Sequence, residues 1–160
     1  SIVEKQYRKE KIEVVRILDQ HVPDVMMDAR QMEQVIINIA NNAVFAMKEA
    51  LGNGEHVGVY RKGELTVGSH FHTDKGCVEI FITDTGVGIS KNDLRKIFDP
   101  FFTTRKDGKG TGLGLSISYG IVKMHDGSIE VESEIGKGTA FRILLPLEAK
   151  KEQGMRVVKL

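Results

Sequence analysis

The sequence predicts an α+β fold, a two-layer α/β sandwich in which helices cover one face of a mixed, mostly antiparallel sheet. Three observations carry that expectation. After Asp28, apolar residues recur at positions 32, 35, 36, 39, 43, 46, 47 and 50, the stripe of a helix lying on a core. Strand-like runs rich in β-branched residues come in pairs joined by turn-length connections, which hairpins permit and parallel crossovers do not. The 160 residues are about the size of one domain, able to bury roughly two-thirds of the unfolded chain's surface.

Taken in order, residues 1–10 are charged and weakly helical, and Ile12 to Leu18 (IEVVRIL) reads as a short buried strand. Val22 to Met27 is a second strand candidate. Asp28 is an N-cap with Gln31 as capping-box partner, and Gly52 and Gly54 end the helix that follows. Glu64 to Phe71 and Cys77 to Thr83 form an antiparallel pair about the turn Thr73-Asp74-Lys75-Gly76. Asp84 to Gly88 is a glycine-punctuated turn, Ser90 with Asp93 caps a short helix to about Phe98, and a loop runs from Asp99 to Thr111. Leu113 to His125 is helical and stops at Gly127, a C′ glycine. Ser128 to Ser133 and Thr139 to Leu145 close the fold as a hairpin, and Glu148 to Leu160 reads as a tail.

Composition narrows the function classes. Lys and Arg number 23 against 22 Asp and Glu, a formal charge of +1, so no basic field draws the chain to nucleic acid or an anionic membrane. The single cysteine, Cys77, excludes an internal disulfide and a cysteine-rich zinc site, and suits a reducing compartment; the expectation is a cytoplasmic domain. No apolar run approaches the ~18 residues of a membrane span, and SIVEKQYRKEK has no signal-peptide core. Ten of the 17 glycines lie between Gly86 and Gly138, interleaved with apolar helix and strand patterns rather than linker filler.

Four clusters carry chemistry. Asn38 and Asn42 stand one turn apart on the strong helix, and two asparagines mid-helix imply a compensating role. One such role is lending carbonyl oxygen to a hard cation; a buried amide pair satisfying nearby backbone is an equal alternative, and Asn41 reads as merely exposed. Asp84-Thr85-Gly86-Val87-Gly88 ends a strand with an acceptor fit for an amine such as adenine N6, though Asp before Gly is also ordinary turn chemistry. Phe98, Phe101 and Phe102 read as anchors for one edge of a mobile lid. Gly108 to Leu115 alternates glycine with larger residues where a helix begins, a backbone cradle for phosphate whose bland alternative is a flexible surface loop. It is neither a P-loop nor a dinucleotide fingerprint, and protein-kinase HRD and DFG signatures are missing.

In this order, EQVIINIANNAVFAM, DTGVGIS, FDPFFTTR, GKGTGLGLS and GKGTAFRILLP resemble the N, G1, F and G2 boxes and the late Gly-Lys-Gly-Thr stretch of the catalytic, ATP-binding (HATPase) domain of bacterial two-component sensor histidine kinases. That family lies within the GHKL superfamily shared with gyrase, Hsp90 and MutL. The resemblance spans about residues 10 to 147, and the short lid with FFTT is most similar to the nitrogen-regulation-like subgroup. It implies the Bergerat ATP-binding fold over 11–147, a stub of connection to an upstream dimerisation domain at 1–10, and a tail at 148–160.

Carried onto this chain, the resemblance implies ATP and Mg²⁺ as ligands. Asn42 becomes the side-chain ligand of magnesium, Asn38 its neighbour on the phosphate side, and Asp84 the acceptor from adenine N6. Gly86 and Gly88 shape the base pocket, and Thr139 assists Asp84 through a shared water. Gly110, Gly112, Leu113 and Gly114 give amides to the phosphates, with Phe102, Thr103 and Thr111 on the same nucleotide side. Lys109, Arg105 or Lys106 neutralises the γ-phosphate, Lys109 being counted with Asn38 and Asn42 as catalytic.

Two departures matter. Many relatives place Lys or Arg three residues after the magnesium asparagine, where Phe45 stands here. ATP-hydrolysing members carry a glutamate base four residues before that asparagine, where this chain has Asn38, which cannot take a proton. The resemblance therefore implies transfer of the γ-phosphoryl group to histidine, which is nucleophilic when neutral and needs no such base. A GHKL-type ATPase and a non-catalytic nucleotide sensor are the rival readings. None of the five histidines has the family acceptor context. His21, His56 and His125 read as surface or helix-end residues, and His70 and His72 as a chance pair on one strand face. The acceptor is thus expected on the parent kinase's dimerisation domain, with a response regulator receiver domain as indirect partner; no nucleic acid and no direct membrane contact are expected, whether or not the parent is membrane-anchored.

Overall fold

A computed structural model describes residues 12–52, 62–105, 110–147 and 156–158. Five strands form one sheet in the order β1-β3-β4-β6-β5: β1 (Ile12–Leu18), β3 (Gly63–His72), β4 (Cys77–Asp84), β5 (Ser128–Glu134) and β6 (Gly138–Pro146). Among the described strands only β1 and β3 run parallel, and the crossover between them carries β2 (Val25–Met27) and the long helix α1 (Ala29–Leu51). Two further helices follow β4, the four-residue α2 (Lys91–Leu94) and α3 (Gly114–Met124). The α+β sandwich expected from the hydropathy pattern is the fold observed.

Helix α1 begins where Asp28 Oδ1 accepts the amides of Arg30 and Gln31 at 2.9 and 3.1 Å, satisfying two donors that the helix leaves unpaired. Its buried residues Met32, Val35, Ile39, Ala43 and Met47 keep three- and four-residue spacing and meet the inward-facing Ile80 and Ile82 of β4 and Phe141 and Ile143 of β6 in a single core. Alternation along β4 and β6 points these side chains to one face.

Several expectations change. Helix α2 stops at Leu94 instead of Phe98. Beyond it the chain proceeds by i→i−3 turns, Lys96 N–H to the Asp93 carbonyl and Asp99 N–H to the Lys96 carbonyl, the tighter winding common at helix ends, and Pro100 disfavours helical backbone at Asp99. Phe98 and Phe102 pack against the core, but Phe101 is 74% exposed. Its backbone has φ 67°, and its N–H donates to the Gly112 carbonyl, so the residue is held by main chain and its ring is turned outward. The segment read as a tail contributes strand β7 (Arg156–Val158), antiparallel to β2. Residues 1–10 and His56 lie outside the described residues. His125, read as a surface or helix-end residue, does stand at a helix end, as the C-cap of α3, but is 1% exposed and not on the surface. No helix among the described residues is long and apolar enough to cross a membrane.

Candidate functional site

On α1, Asn38 and Asn42 face a cleft of ≈ 200 Å³ between this helix, the loop after α2 and the start of α3. Of the residues singled out in the sequence, Phe102 and Thr103 reach the cleft from the loop, and Gly110, Thr111, Gly112 and Gly114 from the run leading into α3. Arg105, Asn41 and Leu115 complete much of the wall. Lys109, together with Lys106 and Gly108, lies outside the described residues.

The two asparagines do different work. Asn38 Nδ2 donates both its hydrogens, to the Gly114 carbonyl at 3.1 Å and to Ser118 Oγ at 3.2 Å, and so fastens α3 to α1. The alternative of an amide satisfying neighbouring backbone thus describes its amino group. Asn42 Oδ1 instead accepts from Arg105 Nη2 at 3.1 Å at the cavity wall.

The start of α3 is built to leave donors available. Leu113 is its N-cap and offers no side-chain cap, and the first intrahelical bond runs from Ile117 N–H to the Leu113 carbonyl. The amides of Gly114, Leu115 and Ser116 therefore precede the ladder, at the positive end of the helix dipole. Leu113 N–H makes only a long 3.4 Å bond to Thr111 Oγ1. Gly112 has φ 68°, and a Cβ there would come within 2.4 Å of the Phe101 backbone, so the close approach of the two loops requires glycine.

Asp84, Gly86, Gly88 and Thr139 do not line that cleft. They form a second cluster, set by sheet register, in which Asp84 pairs with Thr139 and Thr139 with Ser133 across β4, β6 and β5. Asp84 is 5% exposed and Oδ1 accepts the Gly86 N–H at 2.8 Å. Burial pushes its carboxyl up to about 6, against the opposing pull of the Gly86 and Thr139 backbone amides. Gly86 lies against α1, where a Cβ would meet that of Ala46 at 2.6 Å, and Val87 N–H donates to the Ala46 carbonyl. Gly88 backs onto the Glu134 carbonyl of the β5–β6 hairpin. Since Ala46 is one turn beyond Asn42 on the same face, the acidic cluster and the cleft are neighbours along one helix.

One participant, Ser133, has no signal in the local pattern, and a second, Arg105, has more weight than its pattern gives it. Ser133 Oγ accepts the Ile89 amide at 2.8 Å and lies 2.9 Å from both the Gly138 carbonyl and Thr139 Oγ1. Its one hydrogen goes to the carbonyl, which can only accept, so Thr139 donates to Ser133 and keeps its lone pairs for another donor. Hairpin register is the signal that finds it. Arg105, named only as one of three lid cations, is the charged member of the cleft wall among the described residues.

For a hard cation the cleft offers amide and hydroxyl oxygens, and no group of three or more His, Cys, Asp or Glu gathers as a metal cluster among the described residues. That donor set fits magnesium, which keeps several waters and is held through few protein ligands together with phosphate oxygens.

A sequence profile described as "Histidine kinase-, DNA gyrase B-, and HSP90-like ATPase" matches residues 27–149. The chain is 44% identical over 126 residues to Sensor kinase CckA of Brucella abortus, covering 76% of this chain and 13% of that protein. It is 37% identical over 132 residues to Sporulation kinase E of Bacillus subtilis, covering 82% and 16%. The chain thus spans less than a fifth of the length of either relative. The solved catalytic domain of histidine kinase ThkA superposes with a TM-score of 0.73 at 31% identity, over 91% of this chain and 87% of that one. The cleft beside Asn42 and the buried acid beside Ala46 therefore belong to an ATP-binding catalytic domain of the sensor histidine kinase type, and the chain is a member of the histidine kinase-, DNA gyrase B- and HSP90-like ATPase family.

Proposed function

We propose that the chain binds Mg²⁺-ATP and transfers its γ-phosphoryl group to a histidine on the separate dimerisation domain of a parent sensor kinase, from which a response regulator receives it. The observation that carries this reading is the convergence of Asn42, the unladdered amides of α3 and the Arg105 guanidinium on one cleft. Asp84 accepts from adenine N6, with Thr139 assisting through a water. Gly86 and Gly88 set the turn that bounds the base, while Gly110, Gly112, Leu113 and Gly114 direct amides to the phosphates beside Phe102, Thr103 and Thr111. Asn42 holds magnesium, which when bound supplies neutralisation of the phosphate charge. Arg105, with Lys109 or Lys106, meets the γ-phosphate, and the FFTT loop supports the nitrogen-regulation-like assignment.

In transfer, a neutral imidazole nitrogen of the acceptor forms the N–P bond as the bond from γ-phosphorus to the β,γ-bridging oxygen breaks and ADP leaves with those electrons. What this domain supplies is position and charge. Hydrolysis has little support, because Asn38 is no base and its amide is engaged with Gly114 and Ser118. The test is to mix the purified chain with the parent's dimerisation domain and γ-labelled ATP. Label on the acceptor histidine is expected; bound ATP without label would mark a sensor, and steady phosphate release an ATPase.

Two further results are expected. Asn42→Ala should weaken Mg²⁺-ATP binding about ten-fold while changing metal-free ATP binding less than two-fold, as expected for one lost metal ligand; equal losses with and without metal would remove Asn42 from the metal. Adenosine affinity, free of phosphate titration, should fall as pH drops from 7.5 to 5, by about ten-fold once the Asp84 carboxyl holds its proton. A flat profile across its value of about 6 would remove Asp84 from the base.

A further inference from the structure

Among the described residues lining the cleft, one side chain carries charge, Arg105. Its guanidinium is held at three points. Nη2 donates to Asn42 Oδ1 at 3.1 Å and reaches the Asn41 carbonyl at 3.5 Å, and the guanidinium carbon lies 4.2 Å from the centroid of the Phe45 ring. Phe45 follows Asn42 by three residues, so the two are neighbours on the surface of α1. It is half-buried and is not among the residues of the hydrophobic core or those packed against it. Among the described residues the ring stands outside the core cluster, beside the cleft residue Asn42, with a flat cation on its face.

We propose that Phe45 is a positioning residue, whose ring holds the Arg105 guanidinium at the cleft so that the loop after α2, and not α1 itself, supplies the cation for the terminal phosphate of the nucleotide. This rests on the ATP-binding reading of the cleft. An arginine side chain is rotamer-rich, and one already seated loses less freedom when an anion arrives. The oxygen it uses, Asn42 Oδ1, is the one assigned above to magnesium. With magnesium held at that oxygen, the guanidinium would lose a hydrogen bond but keep the ring face, and would stay at the cleft to donate to a terminal phosphate oxygen instead of moving into solvent. The ring thus acts on the γ-phosphate only through Arg105, and discrimination between ATP and ADP should depend on it.

The experiment measures ATP and ADP affinity by calorimetry, with magnesium, for the unsubstituted chain, Phe45→Leu, Phe45→Tyr, Arg105→Gln and the Phe45→Leu/Arg105→Gln pair. Leucine keeps apolar bulk without a π face; tyrosine restores the face. Phe45→Leu should weaken ATP about five-fold and ADP by less than about two-fold, the scale of a partly desolvated cation–π contact. Phe45→Tyr should restore the preference, and Phe45→Leu should add nothing once Arg105 is glutamine. The Arg105 Nε–H proton should be shifted upfield by the ring in NMR spectra of the unsubstituted chain and lose that shift in Phe45→Leu. Equal loss for ATP and ADP, or additive losses in the pair, would make Phe45 a structural residue and overturn the proposal. An unchanged ATP-to-ADP ratio in Phe45→Leu would overturn it as well. Failure of the unsubstituted chain to bind either nucleotide would instead overturn the underlying reading of the cleft.

Discussion

Replacing Asp84 by asparagine is expected to cost at least about 100-fold in ATP affinity while moving the thermal midpoint by less than about 3 °C. The two halves of this expectation have one cause. Asp84 is buried at the end of β4 and its carboxyl is pushed up to about 6 by the loss of water around it. The native carboxyl keeps its proton to about 6 where the unfolded chain releases it near 3.8, so its contribution to stability is complete below pH 4 and is lost as pH rises through 6. At neutral pH the ionised group therefore burdens the fold, by on the order of 3 kcal/mol for a shift of this size. Asparagine removes that burden, and its Oδ1 can still accept the Gly86 amide that Asp84 Oδ1 holds at 2.8 Å. Its amino group then faces the Thr139 amide, and the gain and the loss nearly cancel. Under the proposed base pocket, binding has no such compensation, because an amino group would oppose the adenine N6 donor where the carboxylate would accept it, and a buried donor left without an acceptor costs about 3 kcal/mol. Calorimetry with ATP and a thermal unfolding scan check both halves. Affinity within a few-fold of the parent chain would end the assignment of the base pocket, and a collapse of the midpoint would make Asp84 structural.

His125→Ala is expected to remove about 3 kcal/mol of stability, close to 9 °C in Tm for a chain of this size. His125 is 1% exposed and joins the end of α3 to the start of α1. Its Nδ1 lies 2.7 Å from the Ile121 carbonyl, and its Nε2 accepts the Asp28 amide at 3.0 Å. The partners fix the tautomer: a carbonyl can only accept, so Nδ1 carries the hydrogen, and an amide can only donate, so Nε2 carries a lone pair. Alanine leaves a cavity and an orphaned donor at Asp28, the N-cap of the helix that carries Asn38 and Asn42. Urea unfolding measures the loss; a change below 1 kcal/mol would show that water replaces the ring without cost.

What the sequence made legible follows from range. Helix α1 and the β3–β4 and β5–β6 hairpins are local patterns, a period of 3.6 or 2 closed by Asp28, Gly52 or a turn at Gly76, and they were read within a few residues of their ends. The glycine run before α3 was legible because it marks a helix start. Features that depend on distant partners were not. His125 looks like a helix-end histidine until Asp28, 97 residues away in sequence, is brought to it. The seat of Arg105 on Phe45 joins a loop to a helix 60 residues earlier. Three residues of β7 are too few for alternation to stand out against irregular chain. Phe101 reads as an anchor because aromatic residues in a loop usually bury, whereas its backbone has positive φ and is bonded to Gly112, and its ring is exposed.

The docking of Gly86 on Ala46, four residues beyond Asn42, makes α1 a measuring rod. Four residues of helix advance about 6 Å, and that interval separates the seat of the acidic turn from the amide oxygen at the cleft without any loop able to stretch it. A single residue inserted between the two marks would swing one of them about 100° around the axis, so the separation of the Asp84 turn from the cleft at Asn42 is counted out in backbone steps along one rigid element.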